Sequence, residues 1–207
     1  MNFLGHTHVA LAAGRDDAEY LLGAVLPDLA PMAGVRLADR SGLTGPLGDG
    51  IACHLRGDAA FHAHPAFRAG SGALRRALAE RGVASGPARA VGHAGWELLL
   101  DGTLVATATE AAFRRALAAG DRARAALGPG DGDRWRAFLD RGRAAAGLHY
   151  DDPAWVADRL HAMLARRPRL ALPAGQVAVV AEVLGDHAPA VRSVAGAVLA
   201  DTVREAG

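Results

Sequence analysis

Apolar residues along the chain recur mainly three and four positions apart, the period of a helix, and clusters of Gly and Pro divide the pattern into segments. The spacing predicts helices over about 6–13, from Asp16 or Asp17 to Leu26, and over about 50–63, 66–82, 86–106 and 109–126. Pro27 and Pro31 bracket Asp28, which puts that carboxylate at a helix end or in a tight turn. Residues 33–49, AGVRLADRSGLTGPLGD, read as a loop or weakly structured lid. Beyond GPGDGD at 128–133, helices are expected near 133–146, 152–166, 173–186 and 188–205, with RPRLALP at 167–173 as a hinge.

Composition agrees with the period. Apolar residues make up 51% of the 207 and aromatics 5%, so the core must be built from Ala, Leu and Val. Ala and Leu enter helices at little cost, while the aromatic residues that suit strands are sparse. The expected fold is all-α, a compact multi-helix bundle. A chain of this length can bury one substantial core, so a single domain over 1–207 is the simplest organisation.

Charge and cysteine content narrow the class of function. The formal net charge is +1, and all 23 basic residues are Arg, which removes Schiff-base chemistry at lysine and argues against a nucleic-acid binder held by phosphate neutralisation. Cys53 is the single cysteine and has no internal partner, which fits a reducing cytoplasm. The opening MNFLGHTHVALAAG lacks a basic region and is interrupted by two histidines, so it does not read as a signal peptide. No run approaches the roughly 18 apolar residues of a membrane span.

The chemistry-bearing residues lie in 1–107, leaving 108–207 as structural or substrate-shaping helices. In GIACHLRGDAAFHAHPAF, residues 50–67, His54, Asp58 and His62 are spaced four apart and form one helical stripe that drifts by about 40° per step. In VGHAGWELLLDGTLV, residues 91–105, His93, Glu97 and Asp101 repeat that design among leucines. Either stripe by itself is an ordinary solvated or salt-bridged helix face. Together they can supply His and carboxylate ligands to a metal, and two polar stripes facing each other would partner charges that are costly to bury alone. The mixed N/O set suits Mn, Fe, Zn or Mg.

Two residues separate His6 from His8, about 200° around a helix, so one of them faces any site and the other packs elsewhere. Asp28 has two local readings, a rigidly held site residue or a cap. Arg56 and Arg68 flank the first stripe and are candidates for phosphate oxygens or for ordinary ion pairs. His64 has no assignment, and His149, His161 and His187 are scattered. GPGDGD lacks the Lys and preceding strand of a phosphate loop.

Four segments in order, MNFLGHTHVA at the start, LLGAVLPDL at 21–29, GIACHLRGDAAFHAHP at 50–65 and WELLLDGTLV at 96–105, resemble the motifs of the acyl carrier protein phosphodiesterases, relatives of the HD-domain phosphohydrolases. The resemblance implies an HD-domain-like helical fold and a metal-dependent hydrolase, typically with manganese, that cleaves the phosphodiester between 4′-phosphopantetheine and acyl carrier protein. It implies metal-site positions at His6, Asp28, His54, Asp58, His62, Glu97 and Asp101. In a hydrolase of this type a carboxylate such as Asp28 or Asp58 would orient or deprotonate the water, and Arg56 or Arg68 is the nearest Arg to bind the charge that develops. This chain departs from the pattern in four places. His62 stands where an Asp is usual, the usual Arg after the motif histidine is displaced to Arg56, Gly102 replaces the histidine of DHF, and His93 is an addition.

The leading expectation is therefore a metal-dependent phosphoesterase acting on acyl carrier protein or a phosphorylated small molecule, with RRALAERG at 75–82 as a candidate docking segment for an acidic carrier. Two alternatives use the same residues: a di-iron oxygenase of HD-like architecture, and a binding module with a degenerate site.

Overall fold

The computed structural model describes residues 1–38, 43–144 and 147–206. Among these residues the protein is all-α, as the apolar period requires, and the strand-like feature is a single antiparallel bridge between Leu37 and Leu127. The helices are α1 (Phe3–Ala12), α2 (Ala18–Ala33), α3 (Gly45–Ala63), α4 (Pro65–Glu80), α5 (Ser85–Gly102), α6 (Ala108–Ala118), α7 (Gly132–Ala144), α8 (Pro153–Leu164) and α9 (Val177–Ala206). Short 3-10 turns occupy Gly120–Ala126 and Ala174–Gln176.

The starts of several helices follow directly from short polar side chains. Asn2 accepts from Phe3 N at 2.9 Å, Asp17 from Tyr20 N at 2.8 Å, and Asp152 from Ala154 N at 2.9 Å, each satisfying a backbone donor that the first turn leaves open. Gly34 ends α2 with φ +70°, a left-handed conformation that glycine adopts without a Cβ penalty.

Three expectations are corrected. α2 does not stop at Leu26 but continues through Pro27 and Pro31 to Ala33, so Asp28 lies inside a helix. Each proline removes one helical N–H, normally at a cost of about 3 kcal/mol. That cost is offset by burial, since Leu21, Leu22, Val25, Leu26, Leu29 and Ala30 are all within 2% of full burial. The C-terminal pair expected at 173–186 and 188–205 is one helix, α9, with Pro189 in its interior. Within the lid expected at 33–49, residues 45–49 belong to α3, and at its other end Ala38 N donates to Ala126 O at 2.8 Å and Gly128 N to Arg36 O at 2.8 Å. Residues 39–42 of that lid, and 145–146 of the helix expected to 146, lie outside the described residues.

The chain divides into two compact units that interleave along the sequence. The first combines Met1–Ala60, Ala106–Gly147 and Asp201–Gly207. Here α1, α2 and α6 pack on one another, with the Phe3 and Phe113 rings stacked at 5.6 Å and Trp135 donating Nε1–H to Gly120 O at 2.8 Å. α2 and α3 cross closely in this unit. A Cβ at Gly23 would lie 2.2 Å from Leu47 O, and one at Gly50 would lie 2.2 Å from Tyr20 O, so both positions need a residue without a side chain.

The second unit combines Phe61–Val105 and Leu148–Ala200. α5 packs against α4 and α8, and Gly95 lets Leu74, Leu160 and Leu184 close around it. A Cβ at Gly70 would lie 2.2 Å from the Trp96 indole nitrogen, so this glycine seats the Trp96 ring against α4.

Candidate metal centres

The chemistry-bearing side chains gather in two groups, one in each unit. In the first unit, α1 supplies His6, α2 supplies Asp28, and α3 supplies His54 and Asp58. The close crossing at Gly23 and Gly50 brings α3 near enough for His54 Nδ1 to meet Ala24 O at 2.9 Å. A carbonyl can only accept, so Nδ1 carries the hydrogen, and in the neutral ring Nε2 is left with its lone pair. That nitrogen lies 3.8 Å from Asp28 Oδ1. His6 Nε2 lies 3.7 Å from both Asp28 Oδ2 and Asp58 Oδ1, and the His6 and His54 rings stack with centroids 3.8 Å apart.

The two imidazoles are buried, His6 at 1% and His54 at 5% exposure, whereas the carboxylates of Asp28 and Asp58 are one-third exposed. Burial, reinforced by the nearby His54 and the N-terminal ammonium, holds the His6 pKa well below its ordinary value, so the ring is neutral near pH 7. His6 Nε2 is buried and has no hydrogen-bond partner. An orphaned imidazole nitrogen facing two carboxylate oxygens at a distance too long for hydrogen bonding fits a shared cation. Two donors each about 2.1 Å from one ion at a tetrahedral angle stand about 3.4 Å apart. The Met1 amine lies 3.2 Å from Asp58 Oδ1 and provides part of the positive charge at this group.

In the second unit, His62 from the last turn of α3 meets His93 and Glu97 of α5. His62 Nε2 is 3.0 Å from Glu97 Oε1, His93 Nε2 is 3.1 Å from the same oxygen, and the two nitrogens are 3.2 Å apart. Phe67 makes edge-to-face contacts with both rings, at 5.1 Å in each case. Burial alone would raise the Glu97 pKa, but the hydrogen bonds to His62 and His93 hold it well below the ordinary carboxylate range.

Each group has the donors to hold a metal ion. His62, expected to continue the His54 and Asp58 stripe, joins the second group. The drift accounts for this: two steps of four residues rotate a side chain by about 80° around the helix. Asp101 is fully buried on α5, and burial together with its charge raises the Tyr150 pKa.

Other candidates have separate roles. Arg56 donates Nε–H to Ala206 O at 2.7 Å and lines a cavity of about 250 Å³ with Arg15, Tyr20 and Cys53. Arg68 donates to the backbone carbonyl of His62 at 3.1 Å. His8 is half-buried on α1, and burial lowers its pKa. His64, unassigned from sequence, caps α4: its Nδ1 accepts from Ala66 N at 3.1 Å, ahead of Pro65 at the first helical position. A histidine directly before a proline at a helix start was the available signal. His161 Nδ1 is 2.8 Å from Leu172 O and His187 Nδ1 is 2.9 Å from Val183 O, so both are tied to backbone.

No family model, curated protein or solved structure matches the chain.

Proposed function

We propose that His6, Asp28, His54 and Asp58 hold a divalent metal and that the protein is a metal-dependent phosphoesterase with an HD-like arrangement of helices. The observation that carries this reading is the buried Nε2 of His6, without a hydrogen-bond partner and 3.7 Å from oxygens of both Asp28 and Asp58. Two imidazoles beside two carboxylates form a mixed N/O set that suits Mn or Fe, and manganese is the ion implied by the resemblance to acyl carrier protein phosphodiesterases. When bound, such an ion neutralises phosphate oxygens and acidifies a water molecule.

The protein's own groups divide the remaining work by exposure. His6 and His54 are buried, and the Ala24 carbonyl fixes the direction of the His54 ring. Asp28 and Asp58 are the groups that solvent reaches, so one carboxylate oxygen can orient an incoming water and accept its proton. Arg56 is tied by its Nε–H to Ala206 O, which leaves its other guanidinium N–H groups as donors. The proposed substrate is a phosphodiester of the 4′-phosphopantetheine class, carried on acyl carrier protein or on a small molecule.

The test is hydrolysis of holo-acyl carrier protein and of bis-p-nitrophenyl phosphate by manganese-loaded protein, with Asp58→Asn as the control. Turnover of either substrate that falls by roughly 10²- to 10⁴-fold in Asp58→Asn supports the reading. Manganese-loaded wild-type protein that cleaves neither substrate overturns it.

A further inference from the structure

The second group, His62, His93 and Glu97, has a geometry of its own that the proposed phosphoesterase chemistry does not use. Its three donor atoms are mutually 3.0, 3.1 and 3.2 Å apart, a nearly equilateral triangle. Donors about 2.1 Å from one ion and separated by these distances subtend angles of about 90–100°, one triangular face of a coordination polyhedron.

A purely hydrogen-bonded triad accounts for this triangle less well. For both histidines to donate to Glu97 Oε1, two N–H hydrogens must converge on one oxygen while their nitrogens stand 3.2 Å apart. If instead one nitrogen donates to the other, one of the contacts to Glu97 brings a lone pair against a carboxylate. A single cation satisfies all three atoms at once. The rings are also set in advance: they lie within 22° of parallel, and Phe67 meets His62 at 70° and His93 at 88°. Phe61 adds a further edge contact to His62 at 5.4 Å.

We propose that His62, His93 and Glu97 form a second divalent-metal site, separate from the His6, Asp28, His54 and Asp58 group and selective for a borderline transition ion such as Zn2+. The donor set separates the two groups chemically. The first offers two carboxylates for two imidazoles, whereas the second offers two imidazoles to one carboxylate, and imidazole-rich sets suit zinc more than the harder manganese and magnesium ions. The second site opens to solvent, since the His93 side chain is 52% exposed, while Glu97 anchors it from within at 13%. Solvent therefore reaches the face that the three protein ligands leave uncovered, and the ion exchanges readily with chelators.

The test is zinc stoichiometry by equilibrium dialysis with elemental analysis, with Co2+ absorption as the spectroscopic probe. His93 is exposed, so His93→Ala is expected to leave the fold intact, as circular dichroism will register. Wild-type protein is expected to bind two equivalents of Zn2+, and His93→Ala one. His54→Ala is expected to keep one equivalent and a visible Co2+ band, both of which His54→Ala/His93→Ala loses with an affinity drop of roughly 100-fold or more. Equal zinc content in folded wild-type and His93→Ala protein overturns the proposal, as does a folded His54→Ala protein that binds no Zn2+. Neither result depends on phosphoesterase activity.

Discussion

His54 Nδ1 donates to the carbonyl of Ala24 at 2.9 Å, and this one bond decides which face of the ring meets the carboxylates. The bond links α3 to α2 one residue beyond Gly23, where the backbones of the two helices are in close contact. The tautomer of the histidine and the crossing of the helices are thus consequences of the same contact.

His54→Ala removes a ligand nitrogen and the tie to α2 together. Manganese affinity at the first group is expected to fall by roughly 100-fold or more, measured by calorimetry. Wild-type affinity in the variant would mean that His54 does not ligate.

Gly50→Ala tests the crossing itself. The added methyl would meet Tyr20 O at 2.2 Å, so α2 and α3 must separate, with an expected loss of about 1–3 kcal/mol in urea unfolding and weaker manganese binding. Gly196→Ala on α9 is the contrasting case, because no atom lies within 4 Å of its added methyl. It is expected to stabilise the protein by about 0.5–1 kcal/mol through helix propensity.

Asp131 is buried, and its Oδ2 accepts from Arg36 N at 2.9 Å while Oδ1 pairs with Arg134. The backbone N–H of Arg36 first, and Arg134 second, hold its pKa below the ordinary value. The charged form is therefore favoured in the folded state. Its contribution is fully present above the unfolded pKa of about 3.9 and is lost as pH falls through the lower folded pKa. Asp131→Asn keeps an acceptor for Arg36 but removes the charge. Its Tm is expected to lie below wild type at pH 7, with the gap narrowing below about pH 4. A Tm difference that stays constant across an acid series would show that the charge contributes nothing.

His64→Ala removes the cap of α4. A loss of about 1 kcal/mol is expected, largely restored by His64→Asn, since asparagine offers an oxygen to the same backbone donor. Thermal unfolding of the two variants decides this, and equal Tm values for Ala and Asn would show that the cap is not the reason for the histidine.

Much of the architecture is written in local sequence, because helix formation depends on residues three and four apart. Among the described residues the period marked eight of the nine α-helices within a few residues at most ends, and the Gly34 and Asp17 boundaries follow from backbone and capping chemistry. It failed where local preference and burial oppose each other. Pro27, Pro31 and Pro189 argue for breaks, but α2 and α9 run through them, and the apolar neighbours that hold α2 together gain their energy from residues distant in the chain.

The candidate ligands were equally open to reading as residue types, and their grouping was not. Four-residue spacing puts His54, Asp58 and His62 on one helix stripe, but it does not specify which neighbours each meets. Sequence by itself determined that the protein is helical and that His and carboxylate side chains recur at ligand spacing. Tertiary structure decided that Asp28 joins His6, His54 and Asp58, and that His62 turns to His93 and Glu97. The reason is physical: ligation requires donors a few ångströms apart, and a helix alone fixes the angle of each side chain but not the partner that packing brings to it.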